Sequence, residues 1–120
     1  MTKLIAVDVD GTLLNSQHKI LDQTKISLIR AMEEGHKIVI VSGRPTEAII
    51  SIAEELDFKK YGGLISSYNG GAISNLKTGE KITNHTLDLA LTKEILRKSK
   101  GFDAYPLINN GYTMISNRDN

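Results

Sequence analysis

The stretch "LIAVDVDGTLLNS", Leu4–Ser16, decides how the rest of the chain is read. Its first half is apolar and β-branched, the pattern of a strand buried on both faces of a parallel sheet. It ends in two aspartates one residue apart, followed by Gly-Thr. Unpaired buried charge is costly, so a buried strand has no structural use for such a pair. Side chains two apart on an extended backbone point the same way, which lets Asp8 and Asp10 face one small volume at the strand's carboxyl end. Gly11 allows a tight turn there, and Thr12 adds a hydroxyl and an amide.

Working outward, Lys3–Val9 is the first expected strand and "KIVIVS", Lys37–Ser42, the second. Between them Asp22 is the expected N-cap of a helix striped by Ile26, Ile29 and Met32, with Leu28 in support and Gly35 closing it. Pro45 suits a first helical turn, and Ile49, Ile52, Ala53 and Leu56 stripe a second helix. "GLISSYNGG", Gly63–Gly71, is a third short strand that breaks at a glycine pair. Alternating strands and helices at this spacing predict a doubly wound α/β arrangement with right-handed crossovers.

The character changes after Gly71. Ala72–Asn75 and Glu80–His85 form the arms of a strand pair around Thr78-Gly79, and a helix is expected near Leu87–Lys98, with Asp88 serving its start. Asn110-Gly111 is a strong short hairpin signal between β-type residues. These antiparallel pieces predict a smaller second module over residues 72–120, after a first over residues 1–71. Tyr61, Tyr105 and Tyr112 are assigned to packing or to the hairpin. His18, His36 and His85 fall on different elements, so no histidine metal site is expected.

The 120 residues amount to about one domain, with 40% apolar and 24% charged residues, the composition of a soluble globular protein. The net charge of +1 is built from interspersed signs, which supports neither nucleic-acid nor membrane binding. No run approaches the ~18 apolar residues of a membrane span, and no signal segment is evident. Cysteine is absent, which excludes disulfides and thiolate metal sites and fits a cytoplasmic address.

Ligands bind at the carboxyl ends of strands in open α/β sheets. The first strand delivers Asp8 and Asp10 there, the second Ser42, Gly43 and Arg44, and the third Asn69. A helix start after Arg44 would offer N–H groups to an anion, and the guanidinium adds fixed positive charge. Two carboxylates, a hydroxyl, amides and a guanidinium on one rim fit phosphoryl transfer. A carboxylate is repelled by a phosphate ester unless a hard cation such as Mg²⁺ lies between them. Asp8 is then the nucleophile and Asp10 the acid and base. The bland alternatives are a turn-holding role for Asn69, a cap for Ser42, and an ion pair between Arg44 and a nearby acid such as Glu47.

These residues resemble the haloacid dehalogenase-like phosphatases. "DVDGTL", Asp8–Leu13, is similar to the first motif of that superfamily, and "VSGR", Val41–Arg44, supplies the hydroxyl of the second. "SYNGGAI", Ser67–Ile73, with the antiparallel module after it, resembles the Cof-type branch. The resemblance implies part of a doubly wound, Rossmann-like core followed by part of an α+β cap. It further implies Mg²⁺-dependent hydrolysis of sugar phosphates or similar small phosphorylated metabolites. Carried over position by position, Asp8 is nucleophile and metal ligand, and Asp10 is acid/base and binds metal through its main-chain carbonyl. Gly11, Thr12, Ser42, Gly43, Arg44 and Asn69 contact phosphate or substrate.

The family pattern continues beyond what this chain matches, with a lysine that steadies the phosphoryl-enzyme and an acidic loop that completes the metal site. Lys93 and Lys98 sit on the expected second-module helix, and Asp103 and Asp119 lack the acidic-loop context, so neither role is transferred. Losing one transition-state donor costs roughly 10²–10³ in rate. The isolated chain is therefore expected to be a weak phosphatase. Its first strand would be an exposed apolar edge, inviting self-association or a completing chain. The alternative is a non-catalytic phosphate- or metal-binding fragment or assembly module. A phospho-receiver domain is disfavoured, because it needs no acid two residues after its aspartate.

Overall fold

The computed structural model describes residues 1–111 and 113–116; Tyr112 and Asp119 lie outside the described residues. Residues Met1–Asn84 form one compact unit and His85–Asn120 a second. The first unit holds a five-stranded sheet in the order β1-β2-β3-β4-β5, with β1 (Leu4–Asp8), β2 (Lys37–Val41), β3 (Leu64–Ser67), β4 (Ala72–Asn75) and β5 (Lys81–Asn84). β1, β2 and β3 are parallel, and β4 and β5 are antiparallel additions. Three helices intervene: α1 (Asp22–Glu33), α2 (Glu47–Glu55) and the short α3 (Phe58–Tyr61).

The order explains which face is buried. Stepping from β1 to β2 to β3 in one direction, with crossovers of one hand, carries both connecting helices to the same face. Ile38, Ile40 and Ile65 are fully buried on that face, with Ile49, Ile52, Ala53 and Leu56 of the α2 segment and Met32 of α1 in the same core. Ile5 and Val7 pack against it from β1. The alternate residues of the sheet look the other way; there the central Val39 is buried between neighbouring strands, but Leu4 is 66% exposed and Val41 38%. The chain thus carries one winding of the Rossmann-like arrangement. β1 is the sheet's edge, and the expectation of a strand buried on both faces fails for it because nothing in this unit covers its second face.

Local differences have local causes. Asp22 is the first helical residue rather than the cap, and Leu21 holds the cap position without a side-chain bond. The carboxylate instead adds negative charge to the first turn, where the helix dipole favours it. Ile26 stays 59% exposed despite its place in the apolar stripe, on a side of α1 that no element of this unit covers. Gly35 follows α1 at φ +88°, and its N–H returns to the Met32 carbonyl at 3.0 Å. α3 is not foreseen; it follows Asp57 in the left-handed region (φ 56°) and drives Phe58 fully into the core.

The compositional change after Gly71 does not coincide with the division between compact units. β4 hydrogen-bonds to β3 from Ser67–Ala72 to Leu64–Asn75, and β5 to β4, so the strand pair after Gly71 continues the first sheet. The second unit comprises α4 (Leu89–Ser99) and the hairpin β6 (Leu107–Asn109) with β7 (Met114–Ser116). Asp88 caps α4, its carboxylate accepting the Leu91 N–H at 2.8 Å. None of this unit's described residues is buried, and Leu96, Pro106, Ile108 and Ile115 line an open apolar groove. Among the described residues no helix is long and apolar enough to cross a membrane.

Candidate active site

β1 ends at Asp8, Val9 is fully buried, and Asp10 is exposed again. The alternation that fills the core with Val9 therefore keeps both carboxylates on the side away from it. Gly11 then adopts φ +76°, a conformation that strains any residue with a Cβ. The chain folds back on itself, with the Leu13 N–H on the Asp8 carbonyl at 3.0 Å and the Leu14 N–H on the Val9 carbonyl at 2.9 Å. Leu13, Leu14 and Ile20 anchor this return in the core, and the Asn15 side chain caps its tip by accepting from Gln17 and Lys19. Thr12 stays exposed at its base.

The second strand lies alongside in register, Asp8 opposite Val41, so Ser42, Gly43 and Arg44 leave β2 beside the β1 carboxylates. Three backbone bonds hold this loop against the third strand. Ser42 N–H donates to the Ser66 carbonyl at 2.9 Å, Tyr68 N–H to the Arg44 carbonyl at 3.0 Å, and Asn69 N–H to the Ser42 carbonyl at 3.1 Å. The Thr46 and Ser67 hydroxyls add a fourth link at 2.6 Å. Tyr68, Asn69 and Gly70 are consecutive residues at positive φ (52°, 55° and 91°). For the two with a Cβ this costs roughly 1–2 kcal/mol each. The bonds to Ser42 and Arg44 hold the turn in that state.

The expected residues are thus brought together, but some do other work than expected. The Ser42 hydroxyl oxygen accepts the Arg44 N–H at 3.1 Å, which leaves its own O–H free to donate to an anion. The amides expected from the helix start are partly spent, since Ala48 and Ile49 donate to Pro45 and Thr46 within the first turn. Arg44 does form an ion pair, but with Asp10 rather than Glu47. Its Nε donates to Asp10 Oδ2 at 2.9 Å and its Nη2 to Oδ1 at 2.5 Å. Glu47 accepts instead from the Tyr68 hydroxyl at 3.4 Å. The guanidinium hydrogen bonds hold the Asp10 carboxyl below its ordinary range, and Asp10 in turn raises Arg44.

Sequence reasoning missed the tight return after Gly11, whose signal was Asn15: its side-chain oxygen accepts from the Gln17 and Lys19 N–H groups. The donor set at the strand ends is oxygen only, which suits Mg²⁺, an ion commonly held by one or two carboxylates plus a substrate phosphate. Among the described residues no group of three or more acidic or histidine side chains is arranged to hold a metal.

The sequence pattern of the haloacid dehalogenase-like hydrolases matches residues 5–120. The chain belongs to that family. As a haloacid dehalogenase-like hydrolase it is similar to a crystal structure of such a hydrolase from Bacteroides thetaiotaomicron, with a TM-score of 0.89 and 34% identity over 98% of this chain and 44% of that one. It is 35% identical to Phosphatase YwpJ of Bacillus subtilis, over 78% of this chain and 32% of that protein. A Streptococcus pyogenes relative is 35% identical over 91% of this chain and 41% of its own length. This haloacid dehalogenase-like chain therefore spans less than half the length of these relatives.

Proposed function

We propose that the chain carries the nucleophile-bearing part of a magnesium-dependent phosphatase acting on small phosphate monoesters, sugar phosphates or similar metabolites. One observation carries the reading: Asp8 and Asp10 stand exposed at the end of β1 while Ser42 and Arg44 leave the end of the adjoining β2. Membership of a hydrolase family and the phosphatase name of a relative support it.

In this mechanism an Asp8 carboxylate oxygen attacks phosphorus, and the ester oxygen departs with a proton from Asp10, which takes that proton from solvent once its carboxylate is released from Arg44. Asp10 then takes a proton from the water that hydrolyses the aspartyl-phosphate, which restores both groups. The Ser42 and Thr12 hydroxyls and the amides of Gly11 and Gly43 donate to the transferring oxygens, where preorganised donors contribute most. Arg44 and Asn69 contact the substrate side. Asp8 and the Asp10 main-chain carbonyl would hold Mg²⁺, which when bound offsets the repulsion between carboxylate and phosphate.

The test is beryllofluoride trapping, followed by ¹⁹F NMR of the chain with magnesium chloride. A bound signal in the native chain that is lost in Asp8→Asn supports the phosphoryl-acceptor role; no signal, or one that survives the substitution, sinks it. A second reading, binding without turnover, is favoured by the lack of a third acidic partner among the described residues. Trapping at Asp8 argues against it.

A further inference from the structure

We propose that Arg44 exchanges partners at this site: its guanidinium, paired with Asp10, transfers to the phosphoryl group of an arriving ligand and releases Asp10. The inference rests on the phosphate-site reading above and adds the order in which its residues become available.

The geometry carries it. Two donors of the Arg44 fork are committed to the two oxygens of Asp10. A guanidinium recognises a phosphate with the same planar fork, so the carboxylate fills the role that a phosphoryl group would take. The two side chains retain 35% and 56% of their exposure, which leaves the pair open to a ligand from solvent. Exposed pairs of this kind are weak, so a more highly charged anion can displace the carboxylate. The exchange needs only side-chain movement. The Arg44 backbone is fixed by its own N–H on Ser42 Oγ and by the Tyr68 N–H on its carbonyl. The exchange links two events, because whatever frees Arg44 from Asp10 must favour phosphate binding, and phosphate binding must free Asp10 to the same extent.

Inorganic phosphate is the probe, titrated at fixed magnesium chloride and followed by NMR, with far-UV circular dichroism confirming that each variant is folded. Asp10→Asn should tighten phosphate binding by roughly two- to fivefold, the range expected for an exposed pair. In an Arg44→Gln background the same substitution should give a smaller gain. A gain there that is equal or larger means that Asp10 acts by simple repulsion of the anion, and the exchange is overturned while the phosphate site stands. The Arg44 Nε–H resonance of the native chain should move on saturation with phosphate, and a resonance that stays put also overturns the exchange. If neither the native chain nor any variant binds phosphate, both this inference and the phosphate-site reading fall.

Discussion

The Asn69 amide stands directly over Gly43: a Cβ built on Gly43 would lie 3.0 Å from Asn69 Oδ1 and 3.4 Å from its Nδ2. The contact joins the ends of β2 and β3. Gly43→Ala should displace the Asn69 amide by a few tenths of an ångström. Asn69 is exposed and able to yield, so the stability change should stay within about 0.5 kcal/mol. Phosphate affinity should fall by more than that small change implies. Thermal unfolding and a phosphate titration of the same variant check both halves, and unchanged affinity would mean that the Asn69 amide takes no part in binding.

Gly63 is a harder constraint. A Cβ there would fall inside contact distance of the Phe58 ring, which is fully buried and cannot withdraw without opening the core. Gly63→Ala should cost roughly 1–3 kcal/mol through overpacking. That corresponds to about 4–8 °C in Tm per kcal/mol for a domain of this size. Differential scanning calorimetry measures it, and Gly63→Ala combined with Phe58→Leu should be less destabilised than the sum of the two single changes.

Legibility differed between the local and the long-range features. The apolar runs of β1 and β2, the stripe of Ile49, Ile52 and Ala53, and the Asn110-Gly111 turn are written in adjacent residues, and spacing alone locates them. The first motif, Asp8 to Leu13, belongs to the same class. The pairing of Arg44 with Asp10 does not, because it joins residues 34 apart and depends on β1 and β2 being neighbours. The open face of the sheet is hidden for a similar reason: β-branched strands look alike whether one face or two is covered, and the strand order decides. α3 is too short for periodicity to register, and it follows from the left-handed turn at Asp57.

The ion pair between Asp10 and Arg44 makes a pH dependence. Its hydrogen bonds lower the folded-state pKa of Asp10 beneath the ordinary value of 3.8. A carboxyl lowered on folding contributes stability that is present above its unfolded pKa and lost as the pH falls through the folded one. The native chain should therefore lose Tm faster than Asp10→Asn below about pH 4, and the two should differ by a constant amount near neutrality. Melting curves from pH 7 to pH 2 test this. Parallel curves throughout the acid range would show that the pair is not formed in solution.

The free edge of β1 bears on association. Its backbone groups face no neighbour on one side, and Leu4 and Ala6 are exposed on the uncovered face. Such an edge is a template for strand addition. Lys3 precedes β1 and Asp8 ends it. Antiparallel pairing with a second copy sets the basic end of one strand against the acidic end of the other, whereas parallel pairing aligns like charges. We therefore expect the chain to form a dimer through β1 as its concentration rises. Ala6→Lys sets a charge on the exposed margin without touching the buried face, and it should weaken association, because lysines on natural edge strands oppose such pairing. Sedimentation velocity across a concentration series decides the matter. A native chain that stays monomeric, or an Ala6→Lys chain that associates as well as the native one, removes β1 as the contact.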